Sequence, residues 1–143
     1  MTRADKLVVD ASVAIKWYVP EVGSEEASAI LQRDTTLLAP DLLVAELGNV
    51  IWKKVLRGEL DPSEADEIIQ SFVNSCPVDL RSSRLLVPAA VEVAVRLQHP
   101  VYDALYLTLA IAEDCPLVTA DDRLRRALAG SPLEAFVRPL LVR

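Results

Sequence analysis

The stretch that most constrains this chain runs from Pro100 to Leu124, PVYDALYLTLAIAEDCPLVTADDRL. From Asp103 to Ala112 apolar residues occur on every side, whereas an ordinary surface helix keeps one polar face. We therefore predict a helix that is covered on most sides. Pro116 prevents its continuation, and Leu117 to Thr119 then predict a short buried strand. One acid, Asp103, thus stands at the head of a buried helix, and another, Asp121, follows a buried strand.

The N-terminal part repeats the order of strand, acid and helix. Residues Lys6 to Asp10, KLVVD, predict a buried parallel strand with Asp10 at its carboxyl end. We expect Ser12 to be the N-cap of the short helix that follows. A helix from Ser24 to Arg33 and a strand from Thr36 to Ala39 come next.

A long helix is predicted after Pro40, over DLLVAELGNVIWKKVLRG, and Gly58 ends it. Glu46 lies four residues after Leu42 and four before Val50, so the three share one helix side. An acid beside an apolar stripe is either a boundary residue or one that points into a polar pocket at the edge of the core.

The remaining elements carry weaker signals. Asp61, Pro62 and Glu64 have the chemistry of a helix start, and that helix should reach about Ser75. We further predict a strand from Val78 to Leu80, a helix whose first turn holds Pro88 and which buries Val91, Ala94 and Val95 before ending at Leu97, a last strand from Ala135 to Val137, and an edge extension by the tail RPLLVR.

Strands that alternate with helices, without hairpin turns, predict a mostly parallel sheet with helices on both faces. The expected fold is one α/β domain over residues 1–143, a three-layer α/β/α sandwich. In such sheets a site forms outside the carboxyl ends of the strands, where the strand order reverses. Asp10 and Asp121 each follow a predicted strand, which places both acids where a site is expected.

Composition narrows the class of protein. Hydrophobic residues make up 52% and charged residues 25%, which is typical of a globular chain. No apolar run approaches the roughly 20 residues of a membrane span, and the first residues lack the pattern of a signal peptide. Cys76 and Cys115 have no metal-ligand spacing, so we expect buried free thiols in a reducing cytoplasm. The net charge of −6 argues against a broad basic surface, though not against a nuclease whose acidic site binds cations.

Four acids stand at element ends or on apolar helices: Asp10, Glu46, Asp103 and Asp121. Gathered together they would repel one another, unless protonated or neutralised by a cation. Oxygen ligands without His or Cys favour Mg²⁺ or Mn²⁺ over zinc. His99 is the only histidine, which argues against a Ser-His-Asp triad. We expect His99 to be a loop residue without catalytic duty.

Four motifs make the sequence resemble the PIN domains, and among them the VapC-type toxins of prokaryotic toxin–antitoxin pairs. They are LVVDASVAIKW, APDLLVAELGNVIWK, VYDALYLTLA and LVTADDRL, and they occur in the family's order. The resemblance covers the chain from Lys6 to about Val137. It implies a ribonuclease dependent on Mg²⁺ or Mn²⁺, a homodimer, and a small VapB-like antitoxin that blocks the acidic site.

The resemblance also implies the site residues. The family's four acids fall on Asp10, Glu46, Asp103 and Asp121, as catalytic residues and metal ligands. The hydroxyls of Ser12 and Thr119 match supporting positions. Either acid of the Asp121-Asp122 pair is able to face the metal, and the T-x-D match favours Asp121. The implied reaction is hydrolysis of an RNA phosphodiester by a metal-activated water, with Glu46 or Asp121 as candidate general base.

Basic and aromatic side chains near the motifs have two readings. Seven cations are candidates to guide an RNA backbone: Lys16, Lys53, Lys54, Arg57, Arg81, Arg84 and Arg123. For most of them a structural role is the stronger expectation, at a helix C-terminus or on a solvated helix face. Trp17 and Trp52 are expected in the core or an interface rather than stacked on bases.

Other classes explain the sequence less well. A phosphatase-like or dehalogenase-like hydrolase with Asp10 as nucleophile would need a second acid two residues on, where Ser12 stands. A receiver-type phosphoacceptor lacks its acid pair at the end of the first strand. A non-catalytic PIN-like binding domain with a vestigial pocket stays open as the alternative function, and the intact set of four acids argues against it.

Overall fold

The computed structural model describes residues 5–141, which form a five-stranded sheet flanked by helices in an α/β/α sandwich. The strands are β1 (Asp5–Val9), β2 (Thr35–Pro40), β3 (Asp79–Arg81), β4 (Leu117–Thr119) and β5 (Val137–Pro139). The α-helices are α1 (Ala11–Ala14), α2 (Ser24–Gln32), α3 (Leu42–Leu56), α4 (Pro62–Asn74), α5 (Ser83–Leu97), α6 (Val101–Glu113) and α7 (Asp122–Ala127). Two 3₁₀ segments complete the described elements, Ile15–Trp17 and Pro132–Phe136.

The sheet is entirely parallel over the described residues, in the order β3-β2-β1-β4-β5. The chain builds outward from β1 through β2 to β3, and then returns to the other side of β1 with β4 and β5. The strand order therefore reverses between β1 and β4, which is where a ligand crevice forms in such sheets. Val9 pairs with Val118, so the residues that follow, Asp10 and Thr119, stand side by side.

Helix α6 confirms the expectation drawn from its apolar sequence. All seven residues from Ala104 to Ala110 are buried, and the helix packs against β1, β2 and β4. Leu107 of α6, Leu38 of β2 and Leu43 of α3 belong to the core and are completely inaccessible to solvent. Since α6 is held on most sides, Asp103 in its first turn is attached to one of the most firmly packed helices of the fold.

The helix-start signals in α4 are confirmed. The Asp61 carboxylate accepts a hydrogen bond from the Glu64 N–H at 2.8 Å, and the Glu64 carboxylate accepts one from the Asp61 N–H at 3.2 Å. This is the reciprocal capping box that the sequence indicates, with Pro62 in the first turn.

Helix α5 differs from the prediction, because it begins five residues before Pro88. Tertiary contacts start it early: the Ser83 N–H donates to Asp41 at 3.2 Å, and the Ser83 hydroxyl accepts from the Leu42 N–H at 3.3 Å. The predicted buried face is also wrong in part. Val91 and Val95 are exposed, Ala94 is half-buried, and the residue that is fully buried is Ala90.

The two edge strands, β3 and β5, begin one or two residues later in the sequence than predicted. The third strand runs one residue later than the predicted Val78 to Leu80. The fifth strand, predicted from Ala135, begins at Val137, because residues from Pro132 to Phe136 form a 3₁₀ turn. The tail does extend the sheet edge through Arg138 and Pro139, and its last two residues lie outside the described part.

Both cysteines are free thiols, as predicted. Cys115 is buried, whereas Cys76 is only half-buried and its Sγ contacts the Val78 carbonyl at 3.3 Å. Within residues 5–141 no helix is long and apolar enough to cross a membrane.

Candidate active site

Asp10 leaves β1 and caps α1. Its carboxylate accepts hydrogen bonds from the Ser12 hydroxyl and the Thr119 hydroxyl, both at 2.5 Å, and from the Val13 N–H at 3.3 Å. The N-cap of α1 is therefore Asp10, and the expectation that Ser12 caps this helix is wrong. Ser12 follows the cap, and its side chain turns back towards the acid instead of towards the helix.

The two hydroxyls that contact Asp10 are themselves oriented by the turn after β4. The Ala120 N–H donates to the Ser12 hydroxyl at 2.9 Å, and the Asp121 N–H donates to the Thr119 hydroxyl at 3.0 Å. Because each oxygen accepts from the backbone, its own proton is directed at Asp10. The supporting role expected for Ser12 and Thr119 thus has a structural basis, in which one turn fixes the orientation of the acid.

Glu46 points into the pocket from α3, which decides between the two alternatives that the sequence leaves open. Tyr106, a buried residue of α6, donates its hydroxyl proton to Glu46 at 2.5 Å. From sequence patterns alone, Tyr106 has no predicted role beyond the core. A signal was present, since Tyr106 lies one helical turn after Asp103 and a buried phenol needs a hydrogen-bond partner.

Asp103 lies in the first turn of α6 and contacts a residue that the sequence did not favour. The imidazole Nε2 of His99 is 2.7 Å from Asp103 Oδ2. The side chain of His99 is 16% exposed and that of Asp103 is 45% exposed. His99 does lie between two helices, as expected, but it touches a candidate site acid.

Asp121 caps α7 and is held by Arg123. The Arg123 N–H donates to Asp121 at 2.9 Å, and the guanidinium contacts Oδ2 through Nε at 3.0 Å and Nη2 at 2.7 Å. The neighbouring acid, Asp122, pairs instead with Arg125 at 2.8 Å. Of the two, it is Asp121 that lines the pocket with the other acids.

All four candidate acids line one open pocket of about 440 Å³, at the point where the strand order reverses. They come from four different parts of the fold: the end of β1, the second turn of α3, the first turn of α6 and the turn after β4. The same pocket is also lined by Ser12, Asn49, Lys53, Tyr102, Tyr106 and Arg123.

Burial and mutual repulsion shape the electrostatics of the pocket. Burial raises the pKa of Asp10, and the bonds from Ser12 and Thr119 offset only part of this effect. Burial likewise raises the pKa of Glu46, against the opposing hydrogen bond from Tyr106, and the charges of Asp103 and Asp10 raise it further. By contrast, the hydrogen bonds from Arg123 lower the pKa of Asp121.

The donor set fits a hard cation by its chemistry. Oxygen atoms face the pocket, and the ionised forms of Asp10 and Glu46 are disfavoured until a positive charge approaches. The side chains are not drawn together around a point, since no three His, Cys, Asp or Glu residues between 5 and 141 converge closely enough to hold one ion. Each acid is instead bonded to its own neighbour.

The candidate basic residues divide into two groups. Only Lys53 and Arg123 line the pocket. Lys16 and Lys54 pair with Glu21, Arg81 pairs with Asp79 and Glu113, and Arg57 and Arg84 are exposed away from the pocket lining. The expected helix C-terminus is confirmed for Lys53, Lys54 and Arg57, which close α3. The expected exposed helix face is confirmed for Arg123, whose side chain is 80% accessible.

The two tryptophans differ. Trp17 packs against the core and donates its indole N–H to the Ala27 carbonyl at 3.0 Å. Trp52 is 57% exposed, so its expected place in the core is wrong, and a role at an interface stays a prediction.

A family model for the PIN domain matches residues 7–128. This chain belongs to the PIN-domain family. Its curated relatives include Ribonuclease VapC1 of Mycobacterium tuberculosis, 35% identical over 136 residues, which are 91% of this chain and 96% of that protein. Ribonuclease VapC3 of Pyrobaculum aerophilum is 34% identical over 122 residues, 83% of this chain and 92% of the relative. The VapC-type resemblance read from the four motifs is confirmed.

Solved structures confirm the PIN fold. PAE2754 from Pyrobaculum aerophilum superposes with a TM-score of 0.67 at 22% identity, over 95% of this chain and 84% of that one. VapBC2 from Rickettsia felis, bound to a DNA fragment from their promoter, gives a TM-score of 0.61 at 13% identity, over 94% and 98%. The α/β/α architecture predicted from the sequence is therefore correct.

Proposed function

We propose that this PIN domain is a ribonuclease that hydrolyses RNA phosphodiesters with Mg²⁺ or Mn²⁺, and that it is the toxin of a VapBC-type toxin–antitoxin pair in the cytoplasm. The observation that carries the proposal is that Asp10, Glu46, Asp103 and Asp121 all line one pocket. The relatives named as VapC ribonucleases support it, since they match almost the whole chain.

Asp10 and Asp103 are the proposed core ligands, with Glu46 and Asp121 completing the set. A bound Mg²⁺ or Mn²⁺ would supply charge neutralisation at the phosphate and a more acidic water. The chain supplies orientation: Ser12 and Thr119 hold Asp10, and Tyr106 holds Glu46. These bonds fix the acids before substrate arrives.

Glu46 is the better candidate for the general base. A base works best when its pKa lies close to the working pH, and burial raises the pKa of Glu46 towards that range. Arg123 lowers the pKa of Asp121, so its carboxylate is a weaker proton acceptor. Lys53 and Arg123, which line the same pocket, are placed to contact the phosphate groups of an RNA strand.

Two protein partners belong to the proposal. A VapB-like antitoxin would inhibit the enzyme by covering the acidic pocket, in line with the VapB–VapC pairing of the Rickettsia felis neighbour. A second copy of the chain would pair through α5, whose exposed Leu85, Val91 and Val95 lie on one helix side. Exposed apolar surface of this kind marks protein contacts, and a two-fold pair needs only this one surface.

The decisive experiment measures cleavage of a mixed-sequence fluorogenic RNA by antitoxin-free protein, with Mn²⁺ or Mg²⁺ and then with EDTA. We expect metal-dependent cleavage that is lost in Asp103→Asn and retained in Asp122→Asn. The second variant is a matched control, because Asp122 directly follows Asp121 in the sequence but pairs with Arg125 and does not line the pocket. Absence of cleavage together with no thermal shift on adding Mn²⁺ would favour the non-catalytic binding domain.

The dimer has its own test. Val95→Glu places a charge in the exposed apolar stripe of α5, and we expect it to halve the mass measured by light scattering. Glu92→Gln on the same exposed helix is the control. An unchanged mass in Val95→Glu would remove α5 from the interface.

A further inference from the structure

The contact between His99 and Asp103 has no part in the function proposed above. His99 is the chain's single histidine, and its Nε2 lies 2.7 Å from Asp103 Oδ2. Its ring is largely shielded, with 16% of the side chain exposed, whereas Asp103 keeps 45% of its side chain accessible from the pocket. Because the His99 ring is shielded and Asp103 is partly accessible, His99 is suited to orient Asp103 and not to contact substrate.

The backbone at the junction of α5 and α6 fixes where His99 stands. Gln98 ends α5 in the left-handed conformation, with φ at 51°. The N–H groups of both Gln98 and His99 then donate to the Ala94 carbonyl, the second at 3.1 Å. Pro100 follows as the N-cap of α6, so His99 is held between a completed helix end and a rigid helix start.

The two helices are themselves locked together. Ala90 of α5 and Ala104 and Leu105 of α6 form a small buried cluster between them. Asp103 is the neighbour of Ala104 in the first turn of α6, four residues after His99. The donor and the acid therefore sit on two elements whose separation is set by packing.

The direction of the hydrogen bond follows from chemistry. In its ionised form the Asp103 carboxylate accepts hydrogen bonds and donates none, and the donor of this contact is then the His99 Nε2–H. Each of the other three acids also has a fixed donor: hydroxyls for Asp10, Tyr106 for Glu46 and Arg123 for Asp121. Within the described chain no side chain donates to the second oxygen of Asp103, Oδ1.

We propose that His99 is a positioning residue that holds Asp103 through Oδ2, so that Oδ1 is the oxygen offered to the cation in the pocket. This inference rests on the proposed function, because it gives Asp103 a cation to bind. Donors that orient metal-binding side chains usually change metal affinity or activity by about 10–100-fold when removed.

Three substitutions separate the hydrogen bond from the bulk of the ring. His99→Gln places an amide N–H near the Nε2 position, His99→Asn places one near Nδ1, and His99→Leu keeps volume without a donor. We expect His99→Gln to stay within about 3-fold of wild type, while His99→Asn and His99→Leu lose about 10–100-fold in both Mn²⁺ affinity and cleavage rate. Mn²⁺ affinity is read from thermal shifts, which need no RNA.

The wild-type protein offers a direct measurement, because ¹⁵N-labelled histidine gives the spectrum of one imidazole. Long-range ¹H–¹⁵N spectra should show the Nε2–H tautomer, and the Nε2 signal should move in Asp103→Asn and on adding Mg²⁺. The Nδ1–H tautomer would overturn the inference without any variant having to fold.

The outcomes keep the two proposals apart. Wild-type cleavage and Mn²⁺ binding that persist unchanged in His99→Leu would overturn the role of His99 alone. A wild-type protein that neither binds Mn²⁺ nor cleaves RNA would overturn the proposed function, and the role of His99 with it. Loss in His99→Asn and His99→Leu with rescue by His99→Gln would establish the inference.

Discussion

The acids of this protein occur in two contrasting settings. Glu21 lies between two lysines, with its carboxylate 2.8 Å from Lys16 Nζ and 2.9 Å from Lys54 Nζ. Burial alone would raise the pKa of Glu21, but the two lysines outweigh it and the pKa is lowered. In the pocket, Asp10 and Glu46 receive hydroxyl donors instead of cations, and burial raises the pKa of each.

The difference teaches what each set of acids contributes. The ionised carboxylate of Glu21, paired with two lysines, is stabilised by the folded structure and in turn stabilises that structure. An acid that is buried beside other acids and given only neutral donors weakens the fold in its ionised form. Such an arrangement persists where the charge serves a function. A bound metal cation would supply the positive charge that no neighbouring side chain provides for Asp10 and Glu46. Asp121 is intermediate, because Arg123 balances its charge from a largely exposed position.

The largest expected effect is on catalysis. Asp10→Asn should reduce RNA cleavage by at least about 100-fold, since it removes a charge from the centre of the pocket. Glu21→Gln, a change of the same kind in the other setting, should leave the rate within about 2-fold. Single-turnover assays with saturating Mn²⁺ compare the two. Equal losses would show that the contrast between the settings has no bearing on the reaction.

The next effect is the response of stability to metal. With free Mn²⁺ at about 100 times its dissociation constant, the unfolding free energy should rise by about 2.7 kcal/mol. The rise should disappear in Asp10→Asn and persist in Glu21→Gln. Thermal unfolding at several Mn²⁺ concentrations measures it, with Ca²⁺-free buffer and EDTA as the reference. A rise that survives in Asp10→Asn would place the ion elsewhere.

A smaller effect concerns the paired acid itself. Glu21→Gln should destabilise the fold by about 1–2 kcal/mol, because Lys16 loses its carboxylate partner and Lys54 keeps only the longer contact with Glu59 at 3.4 Å. Because the pKa of Glu21 is lowered, its ionised form stabilises the folded state, and this stabilisation is fully present at pH values above the usual pKa of a glutamate. The difference from wild type should therefore close as the pH falls through the lowered pKa. Urea unfolding at neutral and acidic pH checks both statements.

The smallest effect has the opposite sign. Glu46→Gln keeps an oxygen for the Tyr106 hydroxyl but removes a disfavoured charge, so the metal-free variant should melt at a higher temperature than wild type at neutral pH. A raised pKa means that wild-type stability is fully present below the usual pKa of glutamate and falls as the pH rises through the raised one. The advantage should vanish at acidic pH. A lower melting temperature for Glu46→Gln at neutral pH would contradict the contrast.

Local signals in the sequence predicted much of the fold and the whole set of pocket acids. The capping box at Asp61 and the apolar run of α6 depend on neighbours within one or two helical turns, so their sequence pattern is sufficient. Asp10 and Asp121 follow the short apolar strands β1 and β4, and the end of such a strand is also visible in the local sequence. The general order of strands and helices then fixed a parallel sheet.

Apart from the late start of β5, which a local 3₁₀ turn explains, the errors in α5 and at Ser12 arise from contacts between residues distant in sequence. Asp41 starts α5 before Pro88, and the packing of α5 on α6 selects Ala90 rather than Val91 as its buried residue. Ser12 loses the role of N-cap because Ala120, 108 residues later, directs its hydroxyl at Asp10. No helical or strand period records a partner of this kind.

The sequence by itself identified the four acids that line the pocket, each at the end of a strand or on an apolar helix. Only the tertiary structure decided which side chain is the hydrogen-bond partner of each acid. The insertion of β1 between β2 and β4 joins Asp10 to Thr119, and the junction of α5 and α6 joins His99 to Asp103. Local propensity fixes the elements, whereas only the crossover connections and the packing of the core fix which side chains meet.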